Sequence, residues 1–306
     1  MASIIGSAGT KTFWHGTTDY RFTGVAGCRA CGSELAAKVC LRTVYETTPN
    51  AMVFGRSCGA GRSELQTGGR IGCDGSGLTG IWAGMKARGI TDRNLVCLTG
   101  EGRTLEMGCG DFIAAFDREI PVTWIIMDNQ SYAASGSTAT ATTPLHAMTR
   151  IFSRETGGKN TAERKMAMMM IFAKARYVAT ATPAYVKDLV VKVQEALQHK
   201  PSYVHVVSPC QIGWMYRPEL GVKVSRLMVQ TGVLPLWSFK DGVFKRTVRI
   251  PSDARVPVKN LLDLQRRFDN VTEQDIADIE ARIQRENTLV DAMERTLNQP
   301  KVTVSY

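Results

Sequence analysis

Short apolar runs rich in β-branched residues alternate with amphipathic stretches between about residues 30 and 210. The apolar runs predict strands at 52–54, 94–99, 122–127, 176–181 and 203–208. The stretches between them predict crossover helices near 33–46, 78–88, 104–117, 161–175 and 184–198. This alternation is typical of βαβ units and therefore predicts a doubly wound, mostly parallel α/β sheet. In such a sheet, ligands bind beyond the carboxyl ends of the strands.

The alternation weakens beyond Arg217, where a different pattern begins. Residues 239–244 are typical of a β-hairpin, and Thr272–Asp275 is a capping-box variant that predicts the start of a long helix. That helix carries a narrow apolar stripe, which needs to be covered by this chain or by another subunit. The stripe consists of Ile276, Ile279, Ile283, Val290, Met293 and Leu297. We therefore predict three segments: an N-terminal arm (1–23), an α/β domain (24–217) and a C-terminal extension for subunit contacts (218–306).

Composition excludes several classes of protein. With 44% hydrophobic and 22% charged residues, the 306-residue chain has the composition of a globular protein. It has no apolar run of 18 residues and no secretion-signal pattern, so we expect a cytoplasmic protein without a membrane span. The net charge of +10 is spread along the chain without a nucleic-acid-binding motif, so no nucleic-acid partner is predicted. A basic surface also suits an acidic redox partner, an anionic cofactor or neighbouring subunits.

The eight cysteines are the first candidate chemistry, because cytosolic thiols more often bind metals or catalyse reactions than form disulfides. Cys28 and Cys31 form a C-x-x-C at the start of a predicted helix. That motif also fits a thioredoxin-like pair, although only a weak strand precedes it, and a zinc site, although a second close pair is absent. Cys58 and Cys210 lie in turn-like settings that suit ligands. Cys40, Cys97 and Cys109 fall within predicted elements, and Cys73 stays undecided.

A second pattern follows two neighbouring strands. Gly100-Glu101-Gly102 comes after one predicted strand, and Asn129, which is 28 residues beyond Glu101, comes after the next. Glycine lets the backbone approach a diphosphate, the following helix offers N–H donors, and side-chain oxygens can hold a bridging Mg²⁺. The spacing resembles the thiamine diphosphate motif, although an ordinary strand-to-helix turn with a capping acidic residue can have the same sequence.

Together the two patterns resemble the β subunit of pyruvate and other 2-oxoacid:ferredoxin oxidoreductases, over about residues 24–217. The resemblance implies a sheet of the thiamine diphosphate-binding type with a hairpin-plus-helix extension. It implies a [4Fe-4S] cluster on Cys28, Cys31, Cys58 and Cys210, and Mg²⁺ on Glu101, the Asn129 side chain and the Ser131 carbonyl. It further implies a set of cofactor contacts: Arg56, Ser57, Cys58, Gly59, Gly75, Gly100, Gly102, Arg103, Ala133 and Ala134.

The chain departs from this family's pattern at two places. Glu101 stands where the family has aspartate, so an Mg²⁺ ion must shift, bind through water or meet an adjusted backbone. Ala134 stands where the pyruvate enzymes have asparagine near the substrate, which favours a larger or more apolar 2-oxoacid such as phenylglyoxylate. A non-catalytic iron–sulfur subunit with a degenerate thiamine site is the alternative that Glu101 suggests, and a zinc-binding module is a third.

The resemblance also implies the reaction and the partners. The reaction is oxidative decarboxylation of a 2-oxoacid to an acyl-CoA, with coenzyme A as co-substrate. The chain is expected to act only with α, γ and δ-type subunits, because the glutamate that activates thiamine lies on a partner. The electron acceptor is ferredoxin or an NAD-reducing flavoprotein subunit. Residues Gly75–Gly80 match G-x-G-x-x-G without the strand that NAD binding requires, and His205 is most simply a structural residue.

Overall fold

The computed structural model describes residues 28–55 and 72–298, so the predicted site residues Arg56, Ser57, Cys58 and Gly59 lie outside the described residues. Seven strands form one sheet within the described part: β1 (Ala51–Phe54), β2 (Asn94–Gly100), β3 (Val122–Asp128), β4 (Tyr177–Ala181), β5 (Ser202–Val207), β6 (Trp237–Lys240) and β7 (Val243–Arg246). Their order is β1-β2-β3-β5-β4-β6-β7. Strands β1 to β5 run parallel, and the β6–β7 hairpin joins antiparallel to β4. The predicted mostly parallel sheet and hairpin are confirmed.

Helices cover both faces of this sheet. The described α-helices are α1 (Gly32–Thr47), α2 (Asp74–Ala87), α3 (Cys109–Asp117), α4 (Met166–Phe172), α5 (Val186–Gln198), α6 (Gly221–Gln230), α7 (Lys259–Leu262) and α8 (Glu273–Leu297). Buried residues of α1 and α5 pack in one core, and those of α2, α3, α4 and α8 pack in another. Strand β3 contributes to both cores, through Ile125 on one face and Trp124 on the other. The fold is therefore doubly wound, as the alternation predicts.

Two predicted helices differ from the sequence expectation, one by being divided and one by being shorter. The helix expected at 104–117 is divided into a π-helix over Gly102–Met107 and α3. Within the range 161–175, where one helix is expected, only α4 forms. The residues before α4 form a loop that folds around the side chain of Lys159. The buried Lys159 ammonium donates hydrogen bonds to the carbonyls of Thr143 at 2.8 Å and Thr161 at 2.9 Å. Carbonyls that solvate a buried ammonium are more easily supplied by a loop than by a helix, whose carbonyls bond to each other.

The C-terminal segment completes the sheet and then covers it. Helix α8 begins with the predicted capping box: the Asp275 N–H donates to the Thr272 hydroxyl at 3.2 Å, and the Thr272 N–H donates to Asp275 at 2.8 Å. The apolar stripe of α8 is covered by the chain itself, since Val290 is fully buried in the core beside β7. Leu297 at the end of the stripe remains exposed. Within residues 28–55 and 72–298, no helix combines the length and the apolar character that a membrane span requires.

Candidate functional site

The carboxyl ends of β2 and β3 bring Glu101, Asn129 and Ser131 together. Glu101 follows β2, while Asn129 and Ser131 belong to the segment 128–132 that ends β3, called the β3 turn below. The Ser131 N–H donates to Glu101 Oε1 at 2.9 Å and also lies 3.2 Å from Asn129 Oδ1. The Ser131 carbonyl, the third predicted Mg²⁺ ligand, accepts a hydrogen bond from Ala133 N–H at 2.8 Å. All three predicted Mg²⁺ ligands therefore lie at one point, and their ligation of the ion stays a prediction.

Glu101 has the electrostatic setting of a cation ligand. Its side chain is buried, and burial raises the pKa of its carboxyl well above the ordinary value, with the nearby Asp128 carboxylate raising it further. No Lys or Arg of the described residues forms an ion pair with Glu101. Two buried carboxylates that repel each other are stabilised when a divalent cation binds between oxygen ligands. The longer side chain still reaches the β3 turn, so the donor set fits Mg²⁺.

A buried chain of hydrogen bonds holds the β3 turn from below. Asp128 Oδ1 accepts from Gln130 N–H at 2.7 Å and from the Thr142 hydroxyl at 2.8 Å, and Oδ2 lies 2.8 Å from His205 Nε2. His205 Nδ1 lies 2.6 Å from the Tyr203 hydroxyl. With both oxygens occupied, Asp128 acts on the site by fixing the turn. That turn needs fixing, because Gln130 has a φ of 60°, which is unfavourable for a residue with a side chain.

The residues after Glu101 form the wall of the site. A Cβ at Gly102 would lie 2.3 Å from the Tyr132 ring, so glycine leaves room for this aromatic side chain. Arg103 forms a two-point ion pair with Asp74, with Nε–Oδ2 and Nη2–Oδ1 distances of 2.7 Å each. The predicted cofactor contacts of Gly102 and Arg103 stay predictions. Short π-helices such as Gly102–Met107 occur often at functional sites.

Gly75, another predicted cofactor contact, lies at the crossing of α2 and α3. Its N–H donates to Asp111 Oδ2 at 2.6 Å, and a Cβ added at Gly75 would lie 2.2 Å from the Asp111 carbonyl oxygen. The close approach of two helices therefore accounts for glycine here, whether or not the residue also contacts a cofactor.

This close approach gives a prediction about stability. Gly75→Ala is expected to lower the free energy of unfolding by about 1–3 kcal/mol, because the new methyl group overlaps the Asp111 backbone. Gly77→Ala, two residues along the same helix with nothing within 4 Å of the new methyl, is expected to raise it by about 0.5–1 kcal/mol. Denaturant midpoints of the two variants measure this difference. Equal midpoints would contradict the packing role of Gly75.

Three of the four predicted cluster cysteines lie together. The Gly32 N–H at the start of α1 donates to the Pro209 carbonyl at 3.1 Å, which holds Cys31 against the loop that carries Cys210. Burial raises the pKa of the Cys210 thiol, and the nearby sulfurs of Cys31 and Cys28 raise it further. The Gly213 N–H donates to Cys210 Sγ at 3.3 Å. Such hydrogen bonds are typical of thiolates that bind iron–sulfur clusters.

The fourth predicted cysteine, Cys58, lies outside the described residues. Cys73 lies at the start of α2, close to Arg103. Across residues 28–55 and 72–298, no three His, Cys, Asp or Glu side chains are grouped closely enough to hold a single ion. A cluster differs from an ion, since its own iron atoms separate the cysteines. The buried Tyr216 hydroxyl has no hydrogen-bond partner among the described residues, and its pKa responds to Cys210 and Cys31, which fits a site for a further group.

The cysteine group and the β3 turn are in contact. A Cβ at Gly213 would lie 2.9 Å from Ser131 Oγ and 3.5 Å from Cys210 Sγ, so Gly213 occupies the narrow space between the two side chains. Trp214 ties the two together: its N–H donates to the Cys210 carbonyl at 2.8 Å, and its indole Nε1–H donates to the Asn129 carbonyl at 2.7 Å. Sequence reasoning missed this role, because nothing local to Trp214 indicates its distant partner.

Comparison with known proteins identifies the family of the chain. Residues 52–206 match the family model "Thiamine pyrophosphate enzyme, C-terminal TPP binding domain". The chain is 30% identical to pyruvate synthase subunit PorB of Methanothermobacter thermautotrophicus, over 84% of this chain and 92% of the relative. The chain belongs to the family of 2-oxoacid:ferredoxin oxidoreductase β subunits. The matched residues run from β1 to β5 and include the β3 turn, while Cys28, Cys31 and Cys210 lie outside them.

Two further proteins are similar to the chain, one in sequence and one in fold. The chain is 26% identical to the β subunit of an NADH-dependent phenylglyoxylate dehydrogenase from Aromatoleum evansii, over 88% of this chain and 63% of that one. A solved 2-oxoglutarate:ferredoxin oxidoreductase from Magnetococcus marinus superposes with a TM-score of 0.55 at 18% identity, over 85% of this chain and 92% of the solved one. At this identity the likeness shows only that the two chains share a fold.

Proposed function

We propose that this chain binds thiamine diphosphate and a [4Fe-4S] cluster, as a catalytic subunit of a multi-subunit complex that oxidatively decarboxylates a 2-oxoacid to an acyl-CoA. One observation carries the proposal: Gly213 lies between Ser131 and Cys210, since its N–H donates to Cys210 Sγ and a Cβ added to it would lie 2.9 Å from Ser131 Oγ. A site of oxygen ligands and a group of cysteines therefore adjoin each other. Electron transfer after decarboxylation needs this arrangement, because the cofactor that is oxidised and the cluster that is reduced must lie close together.

Glu101, the Asn129 side chain and the Ser131 carbonyl hold Mg²⁺ in this proposal. When bound, thiamine diphosphate would supply the carbanion chemistry that decarboxylation of a 2-oxoacid needs. Gly100 and Gly102 let the backbone approach the diphosphate, and Arg103 adds positive charge beside it. Asp128 and His205 keep the β3 turn in place beneath the metal ligands. Cys28, Cys31, Cys58 and Cys210 hold the cluster.

Ala134 supports a proposal about the substrate. It is exposed in the short 3₁₀ helix Ala133–Ser135 that follows the β3 turn. A methyl group here leaves more space than an asparagine amide and offers no hydrogen bond, which favours a bulky or aromatic acid such as phenylglyoxylate. The α, γ and δ-type partner subunits would enclose the pocket. Coenzyme A is the proposed co-substrate, and ferredoxin or an NAD-reducing flavoprotein subunit the acceptor.

The test of the substrate is an assay of the complex, purified with its partner subunits. We expect a higher kcat/KM for phenylglyoxylate than for pyruvate or 2-oxoglutarate, by roughly tenfold or more, since a missing or extra contact in a pocket changes discrimination by about this factor. Ala134→Asn is expected to move the preference toward pyruvate. A kcat/KM for pyruvate as high as that for phenylglyoxylate in the unmodified complex would overturn the proposal of an aromatic substrate. Absence of thiamine diphosphate from the complex would favour a structural subunit instead.

A further inference from the structure

Tyr216 places a buried polar atom beside the cysteine group. Its side chain is 6% exposed, and its hydroxyl has no hydrogen-bond partner among the described residues. Burial raises the pKa of this hydroxyl, and the charges of Cys210 and Cys31 raise it further. A buried hydroxyl normally finds an acceptor, because leaving it unpaired costs about 1–3 kcal/mol. The hydroxyl lies on the cysteine side, because the Ala30 carbonyl within the C-x-x-C motif and the hydroxyl both lie within 4 Å of a Cβ position at Gly221, and the described protein atoms supply it no acceptor.

Arg267 places a buried positive charge next to the same loop. Its guanidinium lies 4.1 Å from the centre of the Trp214 ring and donates to Gln130 Oε1 at 2.8 Å and to Gln265 Oε1 at 3.0 Å. Both of these partners are neutral amides, and no carboxylate of the described residues forms an ion pair with Arg267. Burial lowers the pKa of Arg267 to about 9, and among the charges that oppose this shift Cys210 comes first. The Asp128 carboxylate also acts on Arg267 electrostatically, but among the described residues no carboxylate closes an ion pair with this buried cation.

The two side chains belong to one packed unit. Tyr216 and Trp214 lie in the loop after Cys210, with their ring centres 6.3 Å apart, and Arg267 stacks on the Trp214 ring. Hydrogen bonds fix this loop: the Trp214 N–H donates to the Cys210 carbonyl at 2.8 Å, and the Tyr216 N–H donates to the Gln211 carbonyl at 3.2 Å. The hydroxyl and the guanidinium are therefore held at set positions relative to Cys210.

We propose that Tyr216 and Arg267 set the reduction potential of the cluster: the Tyr216 hydroxyl donates a hydrogen bond to a cluster sulfur, and Arg267 supplies a fixed positive charge. This inference rests on the proposed function, because it requires the cluster. Neither residue is a ligand. One-electron reduction adds one negative charge to the cluster and breaks no bond in it. A hydrogen-bond donor and a cation both stabilise the more negative state, so both raise the potential.

The test uses the full chain, reconstituted anaerobically with iron and sulfide and titrated with dithionite while electron paramagnetic resonance follows the reduced cluster. Tyr216→Phe and Arg267→Gln are each expected to shift the one-electron equilibrium about tenfold toward the oxidised form, which corresponds to about 59 mV. Arg267→Lys, which retains the charge, is expected to keep most of the wild-type potential.

Two control variants make the same chemical changes elsewhere. Tyr177, at the start of β4, has a buried hydroxyl that bonds to Ser238 in β6, and Tyr177→Phe removes this hydroxyl. Arg266→Gln removes a charge next to Arg267 in the sequence, but from a side chain that is 79% exposed. Water screens an exposed charge, so neither control is expected to move the potential.

The outcomes separate the two proposals. A wild-type chain that binds no iron and sulfide would overturn both the proposed function and this inference. A wild-type chain with a cluster whose potential is the same in Tyr216→Phe, Arg267→Gln and the controls would overturn only the inference. If Arg267→Gln does not fold, Tyr216→Phe decides, because it removes a single oxygen atom and leaves the packing of the ring.

Discussion

Glu101→Gln is expected to remove most of the affinity of the chain for Mg²⁺ and thiamine diphosphate, by about 100-fold or more. Loss of a residue that only orients metal ligands already costs about 10–100-fold, and Glu101 is proposed as a ligand with a full negative charge. Glutamine keeps the length of the side chain and can still accept the hydrogen bond from the Ser131 N–H. The variant therefore removes the charge and leaves the local geometry.

The same variant is expected to leave the cofactor-free chain as stable as the wild type, or more stable. The Glu101 carboxyl is buried beside Asp128, and its ionised form is unfavourable there without a cation. Isothermal titration with Mg²⁺ and thiamine diphosphate measures the loss of affinity, and thermal unfolding with and without cofactor measures stability. Glu119→Gln, which changes an exposed carboxyl, serves as the control. Unchanged cofactor affinity in Glu101→Gln would contradict the ligand role and support a degenerate site.

The sequence alone was sufficient to predict the parallel core of the fold. Strands buried on both faces require uninterrupted apolar runs, and β3, with all seven residues buried, is such a run. The capping box at Thr272 was equally local, because both partners lie within one helical turn. Convergence of Glu101 and Asn129 was predictable once β2 and β3 were taken as neighbours, since their carboxyl ends then meet at one edge.

The support beneath the site could not be predicted, because it depends on the order of strands in the sheet. His205 reaches Asp128 only because β5 pairs with β3, although β4 lies between them in the sequence. Arg267 likewise comes from a segment far beyond the α/β domain, and no periodic pattern links it to Trp214. These side chains interact through tertiary packing, which neither local propensity nor motif spacing encodes.

Cys210→Ser is expected to abolish or strongly weaken cluster binding, and with it electron transfer to the acceptor by about 100-fold or more. Its thiol belongs to the group formed with Cys28 and Cys31, and serine replaces the soft thiolate at iron with a harder oxygen whose hydroxyl loses its proton far less readily. Iron and sulfide content, together with the broad visible absorption of the protein, measures the loss. Acceptor reduction in the complex measures its consequence.

Cys73→Ser is the matched control, because Cys73 is an exposed cysteine at the start of α2 and lies beside Arg103 instead of the cysteine group. It is expected to retain iron, sulfide and colour. Loss of the cluster in Cys73→Ser would instead assign the fourth ligand to this residue and remove Cys58 from the proposed set.

A protein that stays colourless and binds zinc through Cys28, Cys31 and Cys210 would overturn the cluster itself, because zinc has no visible absorption and accepts no electron. The position of Gly213 between Ser131 and Cys210 would then have no role in electron transfer, so this pair of variants tests the interpretation on which the proposed function rests.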